Sequence, residues 1–113
     1  LFMGTAIGYM NLIKQTIVGV RIETLEAFGA VSEETAREMA EGVRRKFETD
    51  IGLSTTGIAG PTGGTPEKPV GLVWIGISTP NQTTAYACHF DADREGVKTL
   101  TVKRLLTLLL KEM

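Results

Sequence analysis

A segment rich in glycine and proline, from Gly57 to Pro69, separates two apolar runs of this chain, residues 51–56 and 70–78. It holds four glycines and three prolines, the residue types that most often interrupt helices and strands. We therefore expect two strands joined by a long loop. A loop of this length in a small domain is usually functional or disordered. Because the prolines stiffen this one, we expect it to be functional.

An amphipathic helix is predicted for residues 33–48, upstream of the loop. Ser32 is a suitable N-cap, and acidic residues at the start with basic residues at the end match the helix dipole. The apolar residues recur every three or four positions, so one face is expected to pack on a sheet. That face consists of Ala36, Met39, Ala40, Val43 and Phe47.

Two further helices are predicted from shorter signals. Residues 22–28 favour one or two helical turns that end at Gly29. Asp91 or Asp93 is expected to cap a last helix. The apolar stripe of that helix consists of Val97, Leu100, Leu105, Leu108 and Leu109.

The order of the elements predicts an α/β fold. A strand over residues 4–9 and a short helix capped by Asn11 come first, and a turn at Pro80 leads to a strand over 82–90. Helices interleaved with strands pack on the faces of a sheet, so we expect a layered α/β/α domain with a mixed sheet. The length of 113 residues fits a single domain, 1–113. Exposed strand edges and a small core favour a homo-oligomer.

Composition excludes several classes of function. No apolar run reaches the roughly 18 residues that a membrane helix needs. The chain has 12 basic and 13 acidic residues and a formal charge of −1, with no basic stripe, so we expect neither nucleic acid nor membrane as a partner. The single cysteine, Cys88, cannot form an internal disulfide, and with the single histidine, His89, it cannot build a structural zinc site. A reducing, cytoplasmic location and no metal are expected.

The loop suits the binding of an anion. Gly57, Gly60, Gly63 and Gly64 permit positive φ and let main-chain N–H groups approach a ligand closely, as in an anion cradle or an oxyanion hole. A plain surface connection between two strands explains the same glycines equally well. The spacing matches neither the phosphate loop of nucleoside triphosphatases nor the dinucleotide-binding fingerprint.

Tyr9 and Lys14 flank a predicted junction between strand and helix. A phenol and an amine at this spacing could face one cleft. A packed tyrosine and a solvated lysine are the simpler interpretation of the two residues. A catalytic triad of His89, Asp91 and a serine is disfavoured, because the chain has no nucleophile elbow.

Three segments together resemble one known family. The run from Thr56 to Gly71, TGIAGPTGGTPEKPVG, is similar to the signature of the CinA C-terminal domain family, the nicotinamide mononucleotide amidohydrolases. The run FGAVS, which ends at Ser32 before the amphipathic helix, agrees with it. Tyr9 and Asn11, followed by Lys14, resemble the family segment Tyr-Ser-Asn-x-x-Lys. The resemblance covers nearly the whole chain.

The resemblance implies a reaction. Members hydrolyse the carboxamide of nicotinamide mononucleotide to the acid and ammonia, without metal or cofactor, a step of pyridine-nucleotide salvage. A serine in a Thr-Ala-Glu-Ser-Cys-Thr-Gly-Gly segment attacks the amide, Lys14 would be the general base, and Tyr9 would assist it. Substrate binding is expected from Asn11, Thr56, Gly57, Gly60, Gly63, Gly64 and Thr65.

This chain departs from the family pattern at two places. Met10 stands where the family has serine, beside the expected cleft. The serine-bearing segment is absent, and we expect it upstream of Leu1. A second hypothesis is therefore a nucleotide-binding or regulatory module of a competence- or damage-inducible protein that retains the fold without catalysis. A third is an incomplete product whose sheet lacks a covering helix.

Overall fold

The computed structural model describes residues 3–4, 19–58 and 64–112. The predicted helix at Asn11 and most of the first predicted strand lie outside these residues. The helices and strands are β1 (Met3–Gly4), α1 (Ile22–Phe28), α2 (Glu33–Lys46), β2 (Ile51–Gly57), β3 (Leu72–Ser78), β4 (Thr83–His89) and α3 (Arg94–Glu112).

The sheet has the strand order β1-β2-β3-β4. β2, β3 and β4 pair antiparallel, with Gly52 opposite Ser78 and Leu72 opposite His89. The expected mixed sheet is corrected accordingly, because all three seven-residue strands are antiparallel. The parallel pairing described is limited to the two residues of β1 against β2. The reason is connectivity: among the described residues no helix lies between β2, β3 and β4, and parallel neighbours usually need a helical crossover.

Helix α2 packs against the face of the sheet that carries small residues. A Cβ atom at Gly76 would collide with the carbonyl oxygen of Ala36, and one at Gly52 with that of Ala40. The buried side chains of Met39 and Val43 belong to a cluster with Val20 and with Leu25 of α1. The glycines therefore bring the helix backbone close to the strands.

Helix α3 packs against the opposite face, which carries large apolar residues. Alternate residues of β3 point to this face, as strand geometry requires. The buried cluster consists of Ile51, Val73, Ile75, Ile77, Cys88, Phe90, Val97, Leu108 and Leu109. With α2 on one face and α3 on the other, the α/β/α layering is confirmed.

Helix ends follow the local signals of the sequence. Ser32 caps α2 and accepts a hydrogen bond from the N–H of Thr35 at 3.2 Å. Gly29 ends α1 with a φ of 82°. Asp93 caps α3, since its carboxylate accepts a hydrogen bond of 2.7 Å from the N–H of Gly96. The choice between Asp91 and Asp93 is thereby settled.

For two residues the predicted burial in the core is wrong. Phe47 follows the last residue of α2 and is 46% exposed, because the helix ends before it can reach the sheet. Leu100 is 37% exposed, and Thr101 is buried in its place on α3. The hydroxyl of Thr101 donates to the carbonyl of Val97 at 2.7 Å, which satisfies it inside the helix and permits its burial.

The length and the apolar content of the described helices decide whether any of them could span a membrane. Within residues 3–4, 19–58 and 64–112, none combines the length and the apolar content needed to cross a bilayer.

Candidate functional site

A groove of about 430 Å³ lies between the junction of α1 with α2, the loop before β3, and β3 itself. Its apolar wall is formed by Phe28, Val31, Leu72 and Trp74. Its charged residues are Glu33, Glu34, Glu67 and Lys68. The aromatic and charged groups together make it a candidate site for an organic ligand.

The second half of the loop forms a turn that its own groups hold. The N–H of Thr65 donates to the carbonyl of Lys68 at 2.9 Å, and the N–H of Lys68 donates to the hydroxyl of Thr65 at 3.0 Å. A Cβ at Gly64 would lie 2.6 Å from the N atom of Val70. Glycine is required there because the two sides of the loop approach each other closely.

The base of the loop is fixed by main-chain hydrogen bonds. The N–H of Ile58 donates to the carbonyl of Leu72 at 2.9 Å, and the N–H of Gly71 donates to the carbonyl of Ile58 at 2.6 Å. Gly57 is the last residue of β2, where a Cβ would lie 2.8 Å from the carbonyl oxygen of Leu72. Gly57 lies in the extended strand without a positive φ, so at this position glycine serves close packing.

The junction of α1 with α2 is the point at which these elements meet. Three consecutive carbonyl groups, those of residues 28–30, each accept a hydrogen bond from a different element. Lys68 Nζ donates to Phe28 O at 2.5 Å, Thr35 Oγ1 and Ser32 Oγ donate to Gly29 O at 2.7 and 3.0 Å, and Thr56 Oγ1 donates to Ala30 O at 2.8 Å. The groove thus has a floor tied to α2, to β2 and to the loop.

Thr56 and Lys68 show what the sequence predicted and what it missed. Thr56, for which substrate binding is predicted, is buried, and its hydroxyl donates to the carbonyl of Ala30 at 2.8 Å. No charge pattern or spacing in the sequence marks Lys68, which lies in the family-like run and reaches the junction. The sequence signal that could have indicated this contact is Gly29, because the absence of a side chain there leaves space for the lysine amine.

Several predicted site residues lie outside the described residues. They are Tyr9, Asn11, Lys14, Gly60 and Gly63. The roles expected of these five stay predictions, as do the substrate-binding roles of Thr56, Gly57, Gly64 and Thr65 and the expected homo-oligomer.

Glu38 fixes the start of α1, the helix that ends at the groove. Its carboxylate accepts a hydrogen bond from the N–H of Arg21 at 2.8 Å and another from the hydroxyl of Thr24. Burial raises the pKa of Glu38, but these hydrogen bonds and the Arg21 guanidinium outweigh it and lower the pKa below 4.5. The carboxylate therefore stays ionised at neutral pH and acts as a tertiary N-cap.

Other nucleophiles of the described ranges are engaged or buried. Ser54 donates to the carbonyl of Ala36 at 2.7 Å, and Ser78 accepts from Arg44 Nε at 3.0 Å. Burial raises the pKa of the Cys88 thiol, and the nearby Arg104 only partly opposes this.

A metal centre was not expected from the sequence. In the part of the chain that the structure describes, no three His, Cys, Asp or Glu side chains are grouped so that they could hold a metal ion.

Comparisons with known proteins agree with this architecture. A CinA-like protein of Kosmotoga olearia is 54% identical over 97 residues, which cover 86% of this chain and 24% of that protein. The crystal structure of the competence/damage inducible protein CihA from Agrobacterium tumefaciens superimposes with a TM-score of 0.87 at 38% identity, over 92% of this chain and 64% of that one. A CinA superfamily protein from Escherichia coli gives 0.88 at 34% identity, over 93% and 61%.

The lengths over which the chain matches its relatives and the family model decide its family. The chain spans about a quarter of the length of the curated relatives it matches. The model of the CinA C-terminal domain matches residues 1–113. This chain belongs to the CinA C-terminal domain family.

Proposed function

We propose that the protein carrying this chain hydrolyses the carboxamide of nicotinamide mononucleotide, releasing nicotinic acid mononucleotide and ammonia. Membership of the family supports the proposal. The position of the family-like run, in the loop beside the groove, supports it as well. The substrate comes from the resemblance described above.

The observation that carries the proposal is the direction of two strands. β1 runs parallel to β2, with Met3 opposite Ile51 and Gly4 opposite Gly52. Both strands therefore point to the edge of the sheet at which β2 ends and the glycine-rich loop begins. Tyr9 and Lys14 follow Gly4 by five and ten residues in the sequence. Lys14 and the loop can line one pocket if the two strands that lead to them run in the same direction, as β1 and β2 do.

The proposed mechanism uses a serine supplied by the rest of the protein. The neutral amine of Lys14 takes the proton of the serine hydroxyl as its oxygen attacks the carboxamide carbon. The carbon–nitrogen bond then breaks, and the proton leaves with ammonia. Water attacks the resulting ester, releases the acid and restores the serine. Tyr9 orients the proton path by a hydrogen bond within the serine–lysine pair.

The loop supplies main-chain donors for the oxyanion or for the nucleotide phosphate. The N–H groups of Ile58, Thr65 and Gly71 are used in hydrogen bonds within the loop and to β3. The main-chain N–H groups that donate to the substrate therefore come from the segment between Ile58 and Thr65, and we assign that role to Gly60, Gly63 and Gly64. Donors held rigidly by the surrounding structure stabilise a developing oxyanion more strongly than mobile ones.

The test is ammonia release from the mononucleotide by the full-length natural protein. Lys14→Ala should lower kcat by about 100-fold or more, the range of a lost general base. Lys103→Ala, which removes an exposed lysine from α3, is the matched control and should retain the parent rate. Equal rates for the parent and Lys14→Ala would exclude Lys14 from the mechanism.

A binding module without catalysis is the second candidate, favoured by Met10 in place of the family serine. Calorimetric titration of the full-length protein with the mononucleotide separates the two. Tight binding without ammonia release would favour the module, and turnover would exclude it.

A further inference from the structure

Lys68 joins the loop to the rest of the molecule. Its Nζ atom donates a hydrogen bond of 2.5 Å to the carbonyl of Phe28, the last residue of α1, 40 residues earlier in the sequence. The carbonyls of a helix C-terminus carry partial negative charge and lack partners within the helix. An ammonium group at this point therefore satisfies a free acceptor and is attracted by the helix dipole.

The sequence leaves space for this contact at Gly29. The residue has a φ of 82°, which side-chain-bearing residues rarely adopt, and a Cβ there would lie 2.8 Å from Lys68 Nζ. The glycine thus serves both as the stop signal of α1 and as the seat of the lysine amine. A Cβ at position 29 would therefore require the lysine amine to shift.

The backbone on each side of Lys68 holds it in register. Its N–H and carbonyl groups both bond to Thr65, which closes the turn of residues 65–68. Gly64 packs on the backbone of Val70 across the same turn. A fixed Lys68 therefore fixes the position of Gly64, to which we assign a substrate donor.

We propose that Lys68 is a positioning residue, which latches the loop of residues 64–71 to the junction of α1 with α2 and thereby sets the affinity for substrate. The inference rests on the proposed function for its effect on substrate, whereas the latch itself is a property of the loop. Lys68 acts through the loop backbone and does not touch the reacting atoms.

Two variants separate the latch from a general loss of stability. Lys68→Met keeps the length of the side chain and removes the donor, whereas Lys68→Arg keeps a cationic donor. Lys103→Ala on the far face of the sheet is the control for a lost positive charge.

The first measurement needs no substrate. Amide hydrogen exchange of Thr65 in the full-length protein should become about tenfold faster in Lys68→Met, the effect of losing one charge-assisted hydrogen bond. Exchange of Ile58, whose N–H bonds to β3, should stay within about twofold. Global unfolding would accelerate both amides together, and this outcome would overturn the proposal, as would unchanged exchange at Thr65.

The second measurement is the kinetics of ammonia release. Lys68→Met should raise KM about tenfold and leave kcat within about twofold, and Lys68→Arg should restore most of the affinity. A fall in kcat at unchanged KM would assign Lys68 to catalysis and overturn its positioning role. If the parent protein released no ammonia, the proposed function would fail, and the exchange ratio of Thr65 to Ile58 would still decide the latch.

Discussion

The hydroxyl of Ser54 in β2 donates a hydrogen bond of 2.7 Å to the carbonyl oxygen of Ala36 in α2. The carbonyl belongs to the helix interior, and the strand can reach it because Gly76 on the neighbouring strand has no side chain. This contact fixes how close α2 lies to the sheet, and α2 in turn presents Ser32 at the groove.

Gly76→Ala should be strongly destabilising. Its Cβ would meet the carbonyl of Ala36 and lie 2.5 Å from Ser54 Oγ, both held in place by the bond between them. Forced overpacking of this kind lowers the free energy of unfolding by about 3 kcal/mol. Chemical denaturation measures the loss. Thr55→Ala, at an exposed position of β2, is the control, and equal stability of the two variants would contradict the close packing of α2.

Thr56→Val should leave the carbonyl of Ala30 without its hydroxyl donor while keeping the shape of the side chain. The expected loss in the free energy of unfolding is about 1–2 kcal/mol, the range for an unsatisfied partner. Thr55→Val changes the adjacent, exposed threonine in the same way and should change stability by less than about 0.5 kcal/mol. If both variants unfolded at the same denaturant concentration, the bond to Ala30 would not contribute to stability.

The stability that Glu38 provides should depend on pH. Its pKa is lower in the folded protein than in the unfolded chain, so the contribution is fully present above the unfolded value near 4.5 and is lost as pH falls through the folded pKa. Denaturation of the parent and of Glu38→Gln at pH 7 and pH 3 measures this. We expect the parent to be more stable at pH 7 by about 1 kcal/mol and the gap to narrow at pH 3.

Glu26→Gln is the control for the acid measurement, since Glu26 is exposed on α1, the helix whose start Glu38 holds. A gap between the parent and Glu38→Gln that stayed constant down to pH 3 would show that the charge of Glu38 does not act through its hydrogen bonds.

Cys88 should resist alkylation in the folded protein. The side chain is 5% exposed, and burial raises its pKa, so both access and the thiolate fraction at pH 7 are reduced. The rate of modification by iodoacetamide should be about 100-fold lower than in the urea-unfolded protein, where the same residue serves as its own reference. Similar rates in the two states would place the thiol at the surface.

Much of the secondary structure could be predicted from local sequence. Ser32 with the acids behind it begins α2, and Gly29 ends α1, because capping depends on residues within one turn. The three long strands also lie near their predicted positions, since alternation of side chains is a local property. Phe47 and Leu100 were predicted wrongly because burial depends on where a helix ends and what lies opposite it.

The candidate site was predictable only in part. The loop stands out in the sequence, whereas the bonds that shape its groove join residues far apart in the chain: Thr56 to Ala30 across 26 positions and Lys68 to Phe28 across 40. No periodicity or motif spacing encodes such pairs.

By itself, the sequence of this protein determined where α1 ends and α2 begins, where the three long strands lie, that glycine occupies the loop, and which family the chain resembles. The tertiary structure alone decided that the long strands are all antiparallel, that Thr56 donates to a carbonyl of the helix junction, and that Lys68 ties the loop to α1. The physical reason is range. Caps and periodicity act over a few residues, whereas hydrogen bonds between distant segments exist only after packing of both helices on the sheet has brought their donors and acceptors together.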